Sequence, residues 1–156
     1  MTDTQWARIE PLLPDRTPKR GGRWRDHRQV IDAIAFKYRT GTPWMDLPER
    51  FGSWKGAHNR LRKWAADGTW EKVFTALLAQ ADAEGDLGWL VSIDSTIVRA
   101  HQRAAGARQK GKQRNAVERC INKIKQWRGL APRYDKTATV YLAGLHIAAI
   151  FIWSAR

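Results

Sequence analysis

Trp44-Met-Asp-Leu-Pro-Glu-Arg-Phe-Gly-Ser-Trp-Lys-Gly-Ala-His-Asn-Arg-Leu-Arg-Lys-Trp-Ala-Ala66 is the stretch on which the reading of the chain turns. Trp44 to Glu49 has room for one or two helical turns, Gly52 permits a sharp reversal, and Ser53 is a good N-cap for a helix starting at Trp54. In that helix Trp54, Ala57, Leu61, Trp64 and Ala65 fall at i, i+3, i+7, i+10 and i+11, an unbroken apolar stripe. At about 100° per residue, Lys55, Asn59, Arg62 and Lys63 gather on the other side, with His58 at the edge of that face. Short helix, turn and longer helix is the pattern of a helix-turn-helix, whose second helix enters the major groove of DNA. Lys55 and Asn59, in the first two turns, would then face base edges, and Arg62 and Lys63 the backbone. A solvated polar face on an ordinary three-helix bundle fits the same spacing, and this segment alone does not separate the two.

The flanking sequence supplies the rest of a bundle. Asp3 is placed to cap a helix carrying Trp6, Ile9 and Leu13, which Pro14 stops. Asp15 to Arg25, rich in Pro, Gly, Lys and Arg, reads as a basic loop. Val30, Ile31, Ile34 and Tyr38 give an amphipathic helix over Arg28 to Tyr38, ended by Gly41, Thr42 and Pro43. Gly68 closes the helix begun at Trp54, and Thr69 is expected to cap another, with Trp70, Val73, Phe74, Leu77, Leu78 and Ala81 on one side. The bundle is complete by about Ala83, so residues 1–85 form the expected helical DNA-binding domain.

Beyond Gly85 the period changes. Trp89 to Val98 is β-branched and predicts a strand on which Ser92, Asp94 and Thr96 share a face. A carboxylate in an apolar strand is costly to bury unless it is paired or binds a cation, and metal-dependent phosphodiester chemistry uses such groups; an edge-strand Asp94 facing water is the alternative. Arg103 to Arg114 has no large apolar residue and no acid, so it reads as linker. Asn115 to Trp127 predicts a helix with Val117, Ile121 and Ile124 inward and Arg114, Glu118, Asn122 and Lys125 in line outward. Taken alone, Glu118 is as readily half of a surface pair with Arg114 or Asn122. Thr137 to Ala155 is nearly all apolar, needs cover on almost every side, and has no obvious source of it in the chain. A membrane anchor is the competing reading, since the run approaches the roughly 20 residues that span a bilayer.

The formal net charge is +13, and it is uneven: counted along the sequence, residues 1–100 hold 16 Lys/Arg against 13 Asp/Glu, and residues 101–136 hold 11 against 2. Such an excess favours polyanionic partners. One cysteine, Cys120, excludes an internal disulfide and a cysteine-rich zinc site. His58, His101 and His146 have no zinc-site spacing, and neither a Gly-rich nucleotide loop nor a nucleophile elbow is present. Nine tryptophans at helical spacing read as core rather than as stacking platforms. The polar start, Thr2 to Trp6, is not an export signal, and a cytoplasmic, nucleoid-associated protein is expected.

Three stretches resemble the bacterial insertion-sequence transposases of the IS-five type, which carry a DDE triad on an RNase H-like fold. Trp6-Ala-Arg-Ile-Glu-Pro-Leu-Leu-Pro14, with Arg23-Trp-Arg-Asp26 through Gly41-Thr-Pro-Trp44 and Trp64 to Trp70, resembles the family's N-terminal DNA-binding domain. Ile93-Asp-Ser-Thr96 followed by Val98-Arg-Ala-His101 resembles the strand bearing the first catalytic aspartate. Arg114-Asn-Ala-Val-Glu118 continuing to Lys125, then Arg133-Tyr-Asp-Lys136, resembles the C-terminal signature of tyrosine, arginine, glutamate and lysine, with Gly111 standing where the tyrosine belongs.

The resemblance implies a mainly α chain: a helix-turn-helix bundle over 1–85, then over 86–156 a truncated remnant of an α/β RNase H-like domain, a short strand or hairpin plus C-terminal helices. Residues 102–114 would be a basic linker and deletion junction. It casts Asp94 and Glu118 as catalytic residues and ligands of Mg2+ or Mn2+, Arg114 as part of the signature, and Lys125 as a contact to the transposon end. No Asp or Glu lies between Asp94 and Glu118, so the second aspartate of the triad is absent. Asp135 matches a different family position. The resemblance therefore implies a protein that binds the terminal inverted repeats of double-stranded insertion-sequence DNA but is defective in strand cleavage and transfer. Its protein partners would be further copies of itself or the full-length transposase. Alternatives are a DNA-binding regulator that competes with intact transposase, and a membrane-associated protein held by the apolar C-terminal helix.

Overall fold

In a computed structural model, which describes residues 1–15, 25–85, 122–130 and 137–154, every regular element is helical. Helix α1 (Asp3–Ile9) is capped by Thr2 rather than by Asp3: the Thr2 hydroxyl accepts from the Gln5 amide, and the Gln5 side chain accepts from the Thr2 amide in return. This reciprocal pair satisfies two otherwise orphaned donors, and Asp3 adds only its charge in the first turn. Helix α2 (His27–Thr40) starts at Asp26, whose carboxylate accepts from the Arg28 amide, and ends at Gly41 in the left-handed region. Its inward face, Val30, Ile31, Ile34 and Tyr38, is fully buried, as the periodicity requires.

The short helix expected over Trp44 to Glu49 does not form. Two 3-10 turns stand there instead, Trp44–Asp46 and Glu49–Phe51, separated by Leu47 and Pro48. Proline has no amide to donate and pushes the preceding residue into extended backbone, and Leu47 at φ −62°, ψ 131° obeys. Helix α3 (Trp54–Ala66) then buries Ala57, Leu61 and Trp64, while Trp54 and Ala65 border the buried stripe half-covered. Helix α4 (Thr69–Ala83) opens after Gly68, and Thr69 is its first residue rather than its cap. The cap position falls on Gly68, and the Asp67 carboxylate before it takes hydrogen bonds from both the amide and the hydroxyl of Thr69.

The largest departure from expectation is the C-terminal helix, α5 (Ala138–Ser154). It is not exposed: it packs chiefly against α3 and α4 and also touches α1, α2 and a 3-10 turn at Arg128–Leu130. Ala143, Leu145, Ile147, Ala148, Ala149, Ile150 and Phe151 all belong to the same core cluster as Ile31, Leu61, Trp64 and Trp70. The cover that the apolar sequence demanded therefore comes from the N-terminal helices themselves. Gly144 marks a close approach, because a Cβ there would lie 2.8 Å from Leu130 Cδ2 and 2.9 Å from Tyr38 Cζ. The membrane-anchor alternative finds no support, since no helix among the described residues is long and apolar enough to cross a bilayer.

The strand expected over Trp89 to Val98, the linker over Arg103 to Arg114 and most of the helix over Asn115 to Trp127 lie outside the described residues. From that last element residues 122–125 are helical, and Trp127 is buried edge-on against Phe151 at a centroid separation of 5.7 Å.

Candidate nucleic-acid interface

Helix α3 divides cleanly. Lys55, Asn59, Arg62 and Lys63 are exposed along one face, while Ala57, Leu61 and Trp64 are each wholly buried on the other. The helix contains no Asp or Glu, so its outer face is cationic without internal neutralisation. His58 sits at the edge of this face and is half-buried, its ring 5.2 Å from that of Trp44 and 6.4 Å from that of Trp54. Lys55 lies back over Trp54, with Nζ 5.9 Å from the ring centroid. The expected DNA-facing residues are thus brought onto one accessible surface, with His58 forming a packed wall beside it.

The inner edge of α3 holds residues that helical spacing did not single out. Arg60 Nη1 donates to His27 Nδ1 at 2.8 Å. A guanidinium has no acceptor, so Nδ1 carries the lone pair and the proton sits on Nε2, which donates to the Pro14 carbonyl at 3.0 Å. His27 also meets Trp64 edge-on at 5.0 Å, and Arg60 lies over the same indole at 5.1 Å. This chain of contacts ties the end of the first segment, the start of α2 and the middle of α3 together. Burial, and next the nearby Arg25 charge, lower the pKa of Arg60. The only sequence signal for Arg60 is its place between Ala57 and Trp64, beside the buried stripe; His27 carried none.

Arg25, the last residue of the basic loop expected from sequence, packs its side chain against the turn that enters α3. Its Nε donates to Gln29 Oε1 at 3.0 Å and its Nη1 to the Ser53 carbonyl at 2.9 Å. Gln29 Nε2 in turn donates to the Arg50 carbonyl at 3.1 Å. Burial lowers the pKa of Arg25. Ser53 occupies the N-cap position of α3, yet its hydroxyl makes no capping bond, contrary to expectation.

Of the residues assigned to catalysis, Asp94, Arg114 and Glu118 lie outside the described residues, and Lys125 is exposed on the helical segment 122–125. Among the described residues no group of three or more His, Cys, Asp or Glu side chains could hold a metal ion. A shallow pocket of about 510 Å³ is lined by Asp26, Arg28, Gln29, Asp32, Arg50 and Phe51 and contains none of the expected site residues.

Comparison with known proteins agrees with the head of the chain. A family model described as "Putative transposase of IS4/5 family (DUF4096)" matches residues 1–74, which span α1 to α3 and the first turns of α4. "Uncharacterized protein y4sN" of Sinorhizobium fredii (strain NBRC 101917 / NGR234) is 40% identical over 109 residues, 70% of this chain and 83% of the relative. "Insertion element IS402 uncharacterized 16.2 kDa protein" of Burkholderia cepacia is 36% identical over 115 residues, 69% of this chain and 76% of the relative. No solved structure matches. With a transposase family model on the helices that carry the basic face, and an insertion-element protein matched over three quarters of its length, the chain belongs to the IS4/5 transposase-related proteins of insertion sequences.

Proposed function

We propose that this protein binds double-stranded DNA at the ends of an insertion sequence through the outer face of α3, and that it neither cuts nor joins the strands. The observation that carries the binding half is the division of α3, with Lys55, Asn59, Arg62 and Lys63 exposed on an acid-free face and Ala57, Leu61 and Trp64 buried behind them. A rigidly backed helix presenting amide and cationic side chains matches what major-groove reading needs. In this reading Lys55 and Asn59 contact base edges and Arg62 and Lys63 contact phosphates. The catalytic defect rests on the donor set, because no acid stands between Asp94 and Glu118 to complete a triad. Mg2+ or Mn2+ is then not productively bound, and the protein acts in the cytoplasm on the nucleoid.

A second reading, that the chain competes with intact transposase for the same ends, draws on the packing of α5. In the structure α5 fills the core of the N-terminal helices directly, so the chain builds a folded head around the α3 face. Partners in that reading are the DNA ends, further copies of the chain or the full-length transposase.

The test is a salt titration of binding to a terminal inverted-repeat duplex beside a scrambled duplex, with Mg2+ present and products resolved on a denaturing gel. Tighter binding to the repeat with intact strands is the expected result. Nicked or joined products would overturn the catalytic half, and equal affinity for both duplexes would overturn end recognition.

A further inference from the structure

We propose that Arg25 and Gln29 are positioning residues for DNA reading: they set the angle at which α3 meets the groove and do not themselves touch DNA. The inference rests on α3 being the reading helix. Its basis is where their bonds go. Gln29 Nε2 holds the Arg50 carbonyl and Arg25 Nη1 holds the Ser53 carbonyl, so the two side chains pin the backbone on both sides of Gly52. Arg25 Nε closes the bridge by donating to Gln29 Oε1. Gln29 lies on α2, whose Val30, Ile31 and Ile34 are embedded in the core, so the bridge refers the entry of α3 to a rigid element.

The turn is shaped around the guanidinium. Gly52 adopts φ 67°, ψ −161°, a backbone that side-chain-bearing residues rarely adopt. A Cβ on it would lie 3.1 Å from both Cζ and Nη2 of Arg25, and one on Gly56 would lie 3.4 Å from Nη1. Arg25 Nη2 is buried and has no acceptor among the described residues, which is the cost of placing the fork there. Because Ser53 makes no side-chain cap, the start of α3 has no local device of its own to fix its direction, and the Arg25–Gln29 bridge takes that part. A guanidinium committed in this way to a neighbouring amide and a backbone carbonyl is poorly placed to neutralise a phosphate.

Positioning and phosphate contact make different predictions. An arginine acting on phosphate as a point charge is replaced well by lysine, whereas a bridging fork is not. A duplex recovered by selecting bound DNA from a randomised pool serves as the specific probe, with a scrambled duplex of the same composition beside it. Arg25→Lys is expected to lower the ratio of specific to scrambled affinity about tenfold, with scrambled affinity and the salt slope unchanged. Gln29→Ala, which keeps the charge of Arg25, is expected to do the same, and it carries the test if Arg25→Lys fails to fold by circular dichroism. A fall in both affinities with a salt slope smaller by about one would make Arg25 a phosphate contact and overturn the proposal. An unchanged ratio in both variants would reduce the bridge to a structural role and overturn it as well. If the wild-type protein enriches no sequence from the pool, it is the assignment of α3 that fails.

Discussion

Replacing Leu145 by alanine should destabilise helices α3 and α4, which lie more than sixty residues away in sequence, and not α5 alone. Leu145 is 1% exposed and shares a core cluster with Leu61, Trp64, Trp70 and Val73. Removing its isobutyl group forfeits most of a buried side chain's transfer free energy, roughly 2 kcal/mol, and the residual cavity adds about 1 to 2 more. About 3 kcal/mol is a large share of the roughly 5–15 kcal/mol that holds a domain together. It should lower the melting temperature by about 10 °C in a chain of this size. The decisive assay is native-state hydrogen exchange followed amide by amide at pH 7. If α5 is integral to the bundle, protection of the most protected amides of α3 and α4 falls roughly a hundredfold together with that of α5. Wild-type protection in α3 and α4, with faster exchange confined to 138–154, would refute the placement of α5 in this core.

Other outcomes turn on single residues. Gly144→Ala would ordinarily stabilise a mid-helix position by about 1 kcal/mol, but the contacts with Leu130 and the fully buried Tyr38 should outweigh that gain, so a lower urea midpoint is expected and a higher one would contradict the close approach. His146 is stacked on Phe74 at 4.9 Å, and burial lowers its pKa against the opposing pull of Glu71. The unfolded chain therefore takes up the proton first, near pH 6.5, so stability should fall as pH drops below about 6.5 and level off once the folded form is also protonated. His146→Phe should flatten that slope in urea unfolding at pH 5.5 and 7.5, and an unchanged slope would assign it elsewhere. On DNA, the double replacement of Arg62 and Lys63 by alanine should weaken specific and scrambled duplexes alike and reduce the salt slope, whereas Asn59→Ala should mainly relax sequence preference; equal losses in both would contradict the groove assignment.

The parts of this fold legible from sequence were those governed by short-range periodicity. The burial of Val30, Ile31, Ile34 and Tyr38, and the two faces of α3, come from 3.6-residue spacing alone. Local chemistry was read less well where two residues competed for one task. Asp3 and Thr2 both suit an N-cap, and only the return bond from Gln5 decides for Thr2; Thr69 suits a cap, but Asp67 two residues earlier is the stronger acceptor. The 3-10 turns after Pro43 could have been anticipated from Pro48, which forbids a continuous helix across Leu47. Arg25, Gln29, His27 and Arg60 were illegible for a different reason: each bonds to an atom 13 to 33 positions away, and no periodicity encodes such a partner.

The C-terminal helix shows where a correct local inference stops short. Its sequence states that nearly every side must be covered, and in the structure nearly every side is. What the sequence does not state is which surface provides the cover, because an all-round apolar helix has no preferred face to match against another stripe. Particular contacts settle the choice: Gly144 leaves room that Tyr38 and Leu130 occupy, and the ring of His146 stacks on that of Phe74. The same packing bears on function. Because α5 packs against α3, the rigidity of the proposed reading face of α3 depends on residues far beyond the 1–74 region that matches the transposase family. A fragment ending at Gly85 would keep every proposed DNA-contacting side chain yet lack the wall behind them. Loss of specific binding on that truncation, with Lys55, Asn59, Arg62 and Lys63 intact, is therefore the expected sign that the C-terminal segment serves DNA recognition through the core.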